Sequence, residues 1–104
     1  RTVAILGDMG ELGENKEALH YEVGEYAAKA DVDLVYTVGE LTLHTAMAIR
    51  KENPSVKVRS FDTKEDLYPV LKKELKAGDT VLIKASHYMK FDEIVRFFEE
   101  NYND

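Results

Sequence analysis

The sequence predicts one Rossmann-like α/β domain: three layers, α/β/α, with helices on both faces of a mostly parallel sheet. Three observations carry this. Four short runs rich in β-branched and aromatic residues each precede a stretch of helical periodicity, which gives the order βαβαβαβα. The runs start near residues 3, 33, 56 and 80, so each repeat has about the length of one strand and one crossover helix. The runs at 3–6 and 81–83 are almost continuously apolar, as in strands buried on two sides. Right-handed crossovers with one reversal of direction then predict the strand order 3-2-1-4.

The strands are expected at 3–7, 33–38, 56–61 and 80–84. Between 15 and 30, Leu19, Val23, Ala27 and Ala30 recur at helical spacing while Glu17, Glu22, Glu25 and Lys29 take the wet side. The second helix spans 41–52, with Leu43, Ala46 and Met47 on its stripe, and stops before Asn53 and Pro54. Cap chemistry in 62–66 opens a third helix whose buried stripe is Leu67, Val70, Leu71 and Leu75, before Ala77, Gly78 and Asp79 end it. Pro69 fits if its missing N–H is one of the donors that the first turn leaves free. Phe91, Ile94, Val95 and Phe98 form the stripe of the last helix, which frays over 99–104.

A chain of 104 residues, 44% hydrophobic, fills one core and one domain, residues 1–104. With 33% charged residues and no apolar run near the ~18 needed to cross a bilayer, neither a membrane span nor a secretory leader is expected. The absence of cysteine removes disulfides, thiolate zinc sites and thiol nucleophiles, and agrees with a cytoplasmic location. A formal charge of −6 repels phosphate backbones, so no nucleic-acid partner is expected.

The predicted topology puts a crevice at the carboxyl ends of the first and fourth strands. Gly7-Asp8-Met9-Gly10-Glu11-Leu12-Gly13-Glu14 follows the first strand. Its G-x-x-G-x-x-G spacing is not the dinucleotide fingerprint, and its carboxylates sit where a pyrophosphate would rest. It reads either as a glycine-rich turn with acidic helix caps or as a site for a cation or ammonium group. After the fourth strand come Lys84-Ala85-Ser86-His87-Tyr88-Met89-Lys90, a loop suited to a carboxylate or else ordinary solvated charge. A small zwitterion could lie across the mouth, its amine toward Asp8 or Glu11 and its carboxylate toward Lys84, Ser86 or His87. His20 reads as a structural, hydrogen-bonded histidine. His44 has no partner at metal-ligand spacing, and no metal site is expected. The sequence contains no G-x-S-x-G, H-E-x-x-H, C-x-x-C or G-x-x-x-x-G-K-[ST] segment, so no complete catalytic apparatus lies within it.

The run Arg1-Thr2-Val3-Ala4-Ile5-Leu6-Gly7-Asp8-Met9-Gly10-Glu11-Leu12-Gly13-Glu14, followed by His20-Tyr21-Glu22-Val23-Gly24, resembles the carboxyl-terminal domain of the Mur ligases. Gly78-Asp79-Thr80-Val81-Leu82-Ile83-Lys84-Ala85-Ser86-His87 resembles that domain's later G-D-x-V-L-x-K-G-S-R motif, with Ala85 and His87 standing for the usual Gly and Arg. The resemblance extends from residue 1 to about Val95.

It implies an ATP-dependent amide-bond ligase of peptidoglycan synthesis, of the kind that adds D-Ala-D-Ala to UDP-MurNAc-tripeptide by way of an acyl phosphate. ATP and Mg2+ would then be held by a central domain outside this chain, with an N-terminal domain as a further partner. Asp8, Met9, Glu11 and Leu12 would form one substrate-facing lip, with Lys84, Ser86 and His87 forming the other. The resemblance also implies a strand-helix unit ahead of Arg1, so the chain is expected to be an excised or truncated domain, inactive alone. That strand would fall between the first and fourth strands, which must then pair directly or leave a defect. Two readings compete with this one: a Rossmann-like binding or regulatory module, and a free-standing nucleotide-binding enzyme.

Overall fold

A computed structural model describes residues 1–9, 13–85 and 92–102. The elements are β1 (Thr2–Gly7), a single 3-10 turn (Gly13–Asn15), α1 (Lys16–Lys29), β2 (Leu34–Val38), α2 (Thr42–Glu52), β3 (Lys57–Phe61), α3 (Lys64–Glu74), β4 (Thr80–Lys84) and α4 (Asp92–Tyr102). The sheet is parallel, in the expected order β3-β2-β1-β4. β1 and β4 pair directly, from Thr2 opposite Thr80 to Leu6 opposite Lys84.

Alternation along β1 divides the core. Val3 and Ile5 face a cluster with Tyr36 of β2, Leu67 and Leu71 of α3, and Ile94 of α4. Ala4 faces the other way, with Val35 and Ile49 of α2. The chain moves from β1 to β3 in one direction and then returns to β4. Right-handed crossovers therefore put α1 and α2 on one face and α3 on the other.

Several expectations fail: Val95, placed on the stripe of the last helix, is exposed, and that helix continues to Tyr102. β4 is not buried on both sides: Val81 and Ile83 are half-buried toward α3 and α4, but Leu82 is 53% exposed on the open face of an edge strand. On α1 the buried residues are His20, Gly24 and Ala28; Leu19, Val23 and Ala27 are half-buried and Ala30 is exposed. On α2 they are Thr42, Thr45, Ala46, Ala48 and Ile49, whereas Leu43 and Met47 are exposed. The two helices meet through their small side chains, so the larger residues are displaced to the margins: a Cβ on Gly24 would lie 2.3 Å from the Thr45 carbonyl oxygen and 2.7 Å from the Ala48 Cβ. Pro69 lies beyond the first turn of α3, which starts at Lys64 behind the Thr63 cap, so it removes the bond to the Glu65 carbonyl. Buried Leu67 and Leu71 hold the helix in spite of it.

The amino end of the sheet is closed by charge. Arg1 donates from Nε to Asp79 Oδ1 at 3.2 Å and from Nη2 to Asp79 Oδ2 at 2.8 Å, and also reaches the Glu74 carbonyl at 2.9 Å. The guanidinium, joined by the Lys76 N–H, lowers the Asp79 carboxyl from 3.8 to about 2. Nearby, burial and a 2.7 Å hydrogen bond to Glu74 push the Tyr36 phenol up. A carboxyl with a depressed folded-state pKa stabilises the fold above its unfolded value and ceases to do so as pH falls through the folded one. Between pH ~4 and ~2 the Tm of the wild-type chain should therefore fall more steeply than that of Asp79→Asn. Parallel curves would mean that the Arg1 contact contributes nothing.

Candidate ligand site at the carboxyl end of the sheet

Because the strands are parallel, their carboxyl ends gather on one side. Gly7 pairs with Val38 and Leu6 with Lys84, so the chain following β1, the turn following β2 and the last residue of β4 emerge together.

Asp8 is buried there, 8% exposed. Its Oδ1 accepts the Thr42 N–H at 3.0 Å, a donor that α2 leaves open because its own cap position, Leu41, supplies no side-chain acceptor. The carboxylate also opposes the positive end of the helix dipole. Gly39 makes room for it: φ is +112°, and a Cβ at that position would lie 2.5 Å from the Asp8 carboxylate. Thr42 Oγ1 donates to the Gly39 carbonyl at 2.8 Å and locks the turn from the other side.

Beside Asp8, the Met9 N–H donates to His20 Nε2 at 3.0 Å. Met9 and Lys84 both line a groove of about 570 Å³ between α1 and the open face of β1 and β4. Ala4, Leu6, Val23, Leu82 and His20 also line it. The groove is thus apolar along its length, with a cationic side chain at the carboxyl end.

Of the residues expected to form the site, Asp8, Met9 and Lys84 come to the same end of the sheet. Glu11, Leu12, Ser86 and His87 lie outside the described residues, as do Tyr88 and Lys90. Asp8 departs from the expected ammonium contact in that one oxygen is committed to α2. Gly39 and Thr42 were not foreseen, although a glycine directly after the second strand and a threonine opening the next helix are the signals that mark them.

The start of α2 is not open to a phosphate. The N-terminus of α2, where a phosphate would bind, is already taken by the Asp8 carboxylate. Among the described residues no group of three or more His, Cys, Asp or Glu side chains could hold a metal ion. What the rim offers is a fixed carboxylate, a lysine and an apolar wall, which can seat and orient a ligand.

Residues 1–87 match the family described as Mur ligase, glutamate ligase domain. Over 96 residues, 92% of the chain, the sequence is 35% identical to the UDP-N-acetylmuramoyl-tripeptide--D-alanyl-D-alanine ligase of Bacillus subtilis, and the match takes in 21% of that enzyme. It is 34% identical over 103 residues to the Escherichia coli enzyme of the same name, covering 95% of this chain and 21% of the enzyme. The chain therefore spans about a fifth of the length of the curated relatives it matches. Among solved structures, MurF from Acinetobacter baumannii superposes with a TM-score of 0.77 at 19% identity, over 95% of this chain and 22% of that one, a likeness of fold. The MurF ligase of Thermotoga maritima in complex with ADP superposes with a TM-score of 0.72 at 26% identity, over 97% of this chain and 22% of that one.

Proposed function

This chain belongs to the Mur ligase family as its glutamate ligase domain, and from that premise we propose that it is the carboxyl-terminal, substrate-closing domain of an ATP-dependent amide-bond ligase of peptidoglycan synthesis. In this reading the parent polypeptide joins D-Ala-D-Ala to UDP-MurNAc-tripeptide. Its N-terminal and central domains are the partners of this one, and the central domain holds ATP and Mg2+. The observation that carries the reading is the 35% identity with the Bacillus subtilis ligase across 92% of this chain.

The site consists of Asp8, Met9, Glu11 and Leu12 on one lip and Lys84, Ser86 and His87 on the other. Its work is positioning: holding an amine and an activated carboxyl in reacting geometry recovers much of the entropy of bringing them together. Lys84 attracts a carboxylate, while buried Asp8 fixes a negative charge beneath the opposite lip. The domain by itself performs no turnover. Since no helix among the described residues is long and apolar enough to cross a membrane, and the substrates are nucleotide-linked, the reading places the enzyme in the cytoplasm.

The coding sequence upstream of Arg1 is expected to contain a G-x-x-x-x-G-K-[ST] segment. The parent protein should release phosphate from ATP only when both UDP-MurNAc-tripeptide and D-Ala-D-Ala are present. Phosphate release by the 104-residue chain alone, or a parent indifferent to the dipeptide, would overturn the proposal.

A further inference from the structure

His20 is fully buried, yet each of its ring nitrogens meets the main chain of a different segment. Nε2 faces the Met9 N–H at 3.0 Å, and Nδ1 lies 2.5 Å from the carbonyl oxygen of Lys16, one helical turn back. These partners fix the tautomer. A backbone N–H only donates, so Nε2 must present its lone pair; a carbonyl only accepts, so Nδ1 must carry the proton. The ring is therefore neutral and used on both sides. The main chain of the same residue is held as well, since its carbonyl accepts the Thr45 hydroxyl at 2.7 Å.

We infer that His20 is a positioning residue, a strut that sets the Met9 backbone against the joined pair α1 and α2. Met9 directly follows Asp8, whose own carboxylate is tied to the start of α2 at Thr42. The two adjacent residues are thus anchored through separate helices, Asp8 to α2 and Met9 to α1. Between them these anchors leave Asp8 and Met9 little freedom to shift relative to Lys84. The link from this strut to a ligand rests on the reading given under Proposed function; the strut itself does not.

Two substitutions separate the ring's two bonds. Glutamine can place its carbonyl oxygen near the position of Nε2 and keep the acceptor for Met9. Asparagine reaches only the position of Nδ1 and keeps the donor to Lys16. Nitrogen-15 shifts of the His20 ring should show an unprotonated Nε2 and a protonated Nδ1. The Met9 amide should exchange about tenfold faster in His20→Asn than in His20→Gln, the loss expected for one hydrogen bond. A ring protonated on Nε2, or equal Met9 exchange in the two variants, overturns the strut. Measured in the parent protein, the same pair also reports on the ligand. Exchange rates that differ while the KM for D-Ala-D-Ala stays the same support the strut and refute a ligand-facing Met9.

Discussion

Gly24→Ala is expected to destabilise the domain by about 3 kcal/mol, although alanine is the better helix former by about 1 kcal/mol. The new methyl group would lie 2.3 Å from the Thr45 carbonyl oxygen, a main-chain atom that no side-chain rotation can move. Relief requires α1 and α2 to separate. The helices would also lose the hydrogen bonds that span them, from Thr45 Oγ1 to the His20 carbonyl and from Asn53 Nδ2 to the Ala28 carbonyl. A domain of this size has a stability of about 5–15 kcal/mol, so the substitution removes a large share of it. Urea denaturation should show a lower midpoint at unchanged slope. A variant as stable as the wild type would mean that the helices do not approach as closely as described.

Asp8→Ala in the parent ligase is expected to reduce turnover by about 100-fold, the scale on which a small misplacement of reacting groups is felt. The same substitution should cost the fold only about 1 kcal/mol, the usual value of an N-terminal helix cap. The disparity follows from where Asp8 acts. Its carboxylate sets the start of α2 and the Gly39 turn, while the next residue, Met9, lines the groove that ends at Lys84. Asp8→Asn keeps an oxygen for the Thr42 N–H but loses the negative charge, so it should recover stability ahead of turnover. If turnover and stability instead fall in step, Asp8 is a cap and nothing more.

The strand order was legible because it follows from periodicity within each segment and from the fixed hand of the crossover that joins consecutive parallel strands. The buried faces of α1 and α2 were less so. Periodicity rewards large apolar residues and so favoured Leu43 and Met47, whereas the contact was made by Gly24, Thr45 and Ala48, where backbones can approach. The apolar run of β4 matched that of β1, but an edge strand has cover on one side only, and Leu82 is left outside. At the rim, the two loops could be placed from topology alone. The partner of Asp8 could not, because Thr42 lies 34 residues further along the chain and only the folded sheet brings them together.

The direct pairing of β1 with β4 has a consequence for how the rim holds together in time. The Arg1–Asp79 contact that fastens this pairing spans 78 residues, and among the described residues β4 pairs with β1 alone. Closing a longer loop costs more conformational entropy, and a strand paired along one margin opens with less loss of contact than a central one. The amides of β4, up to Lys84, are therefore expected to exchange faster than those of β1, which is paired on both sides. Asp8 and Met9, tied to α2 and α1, are expected to stay in place through such openings.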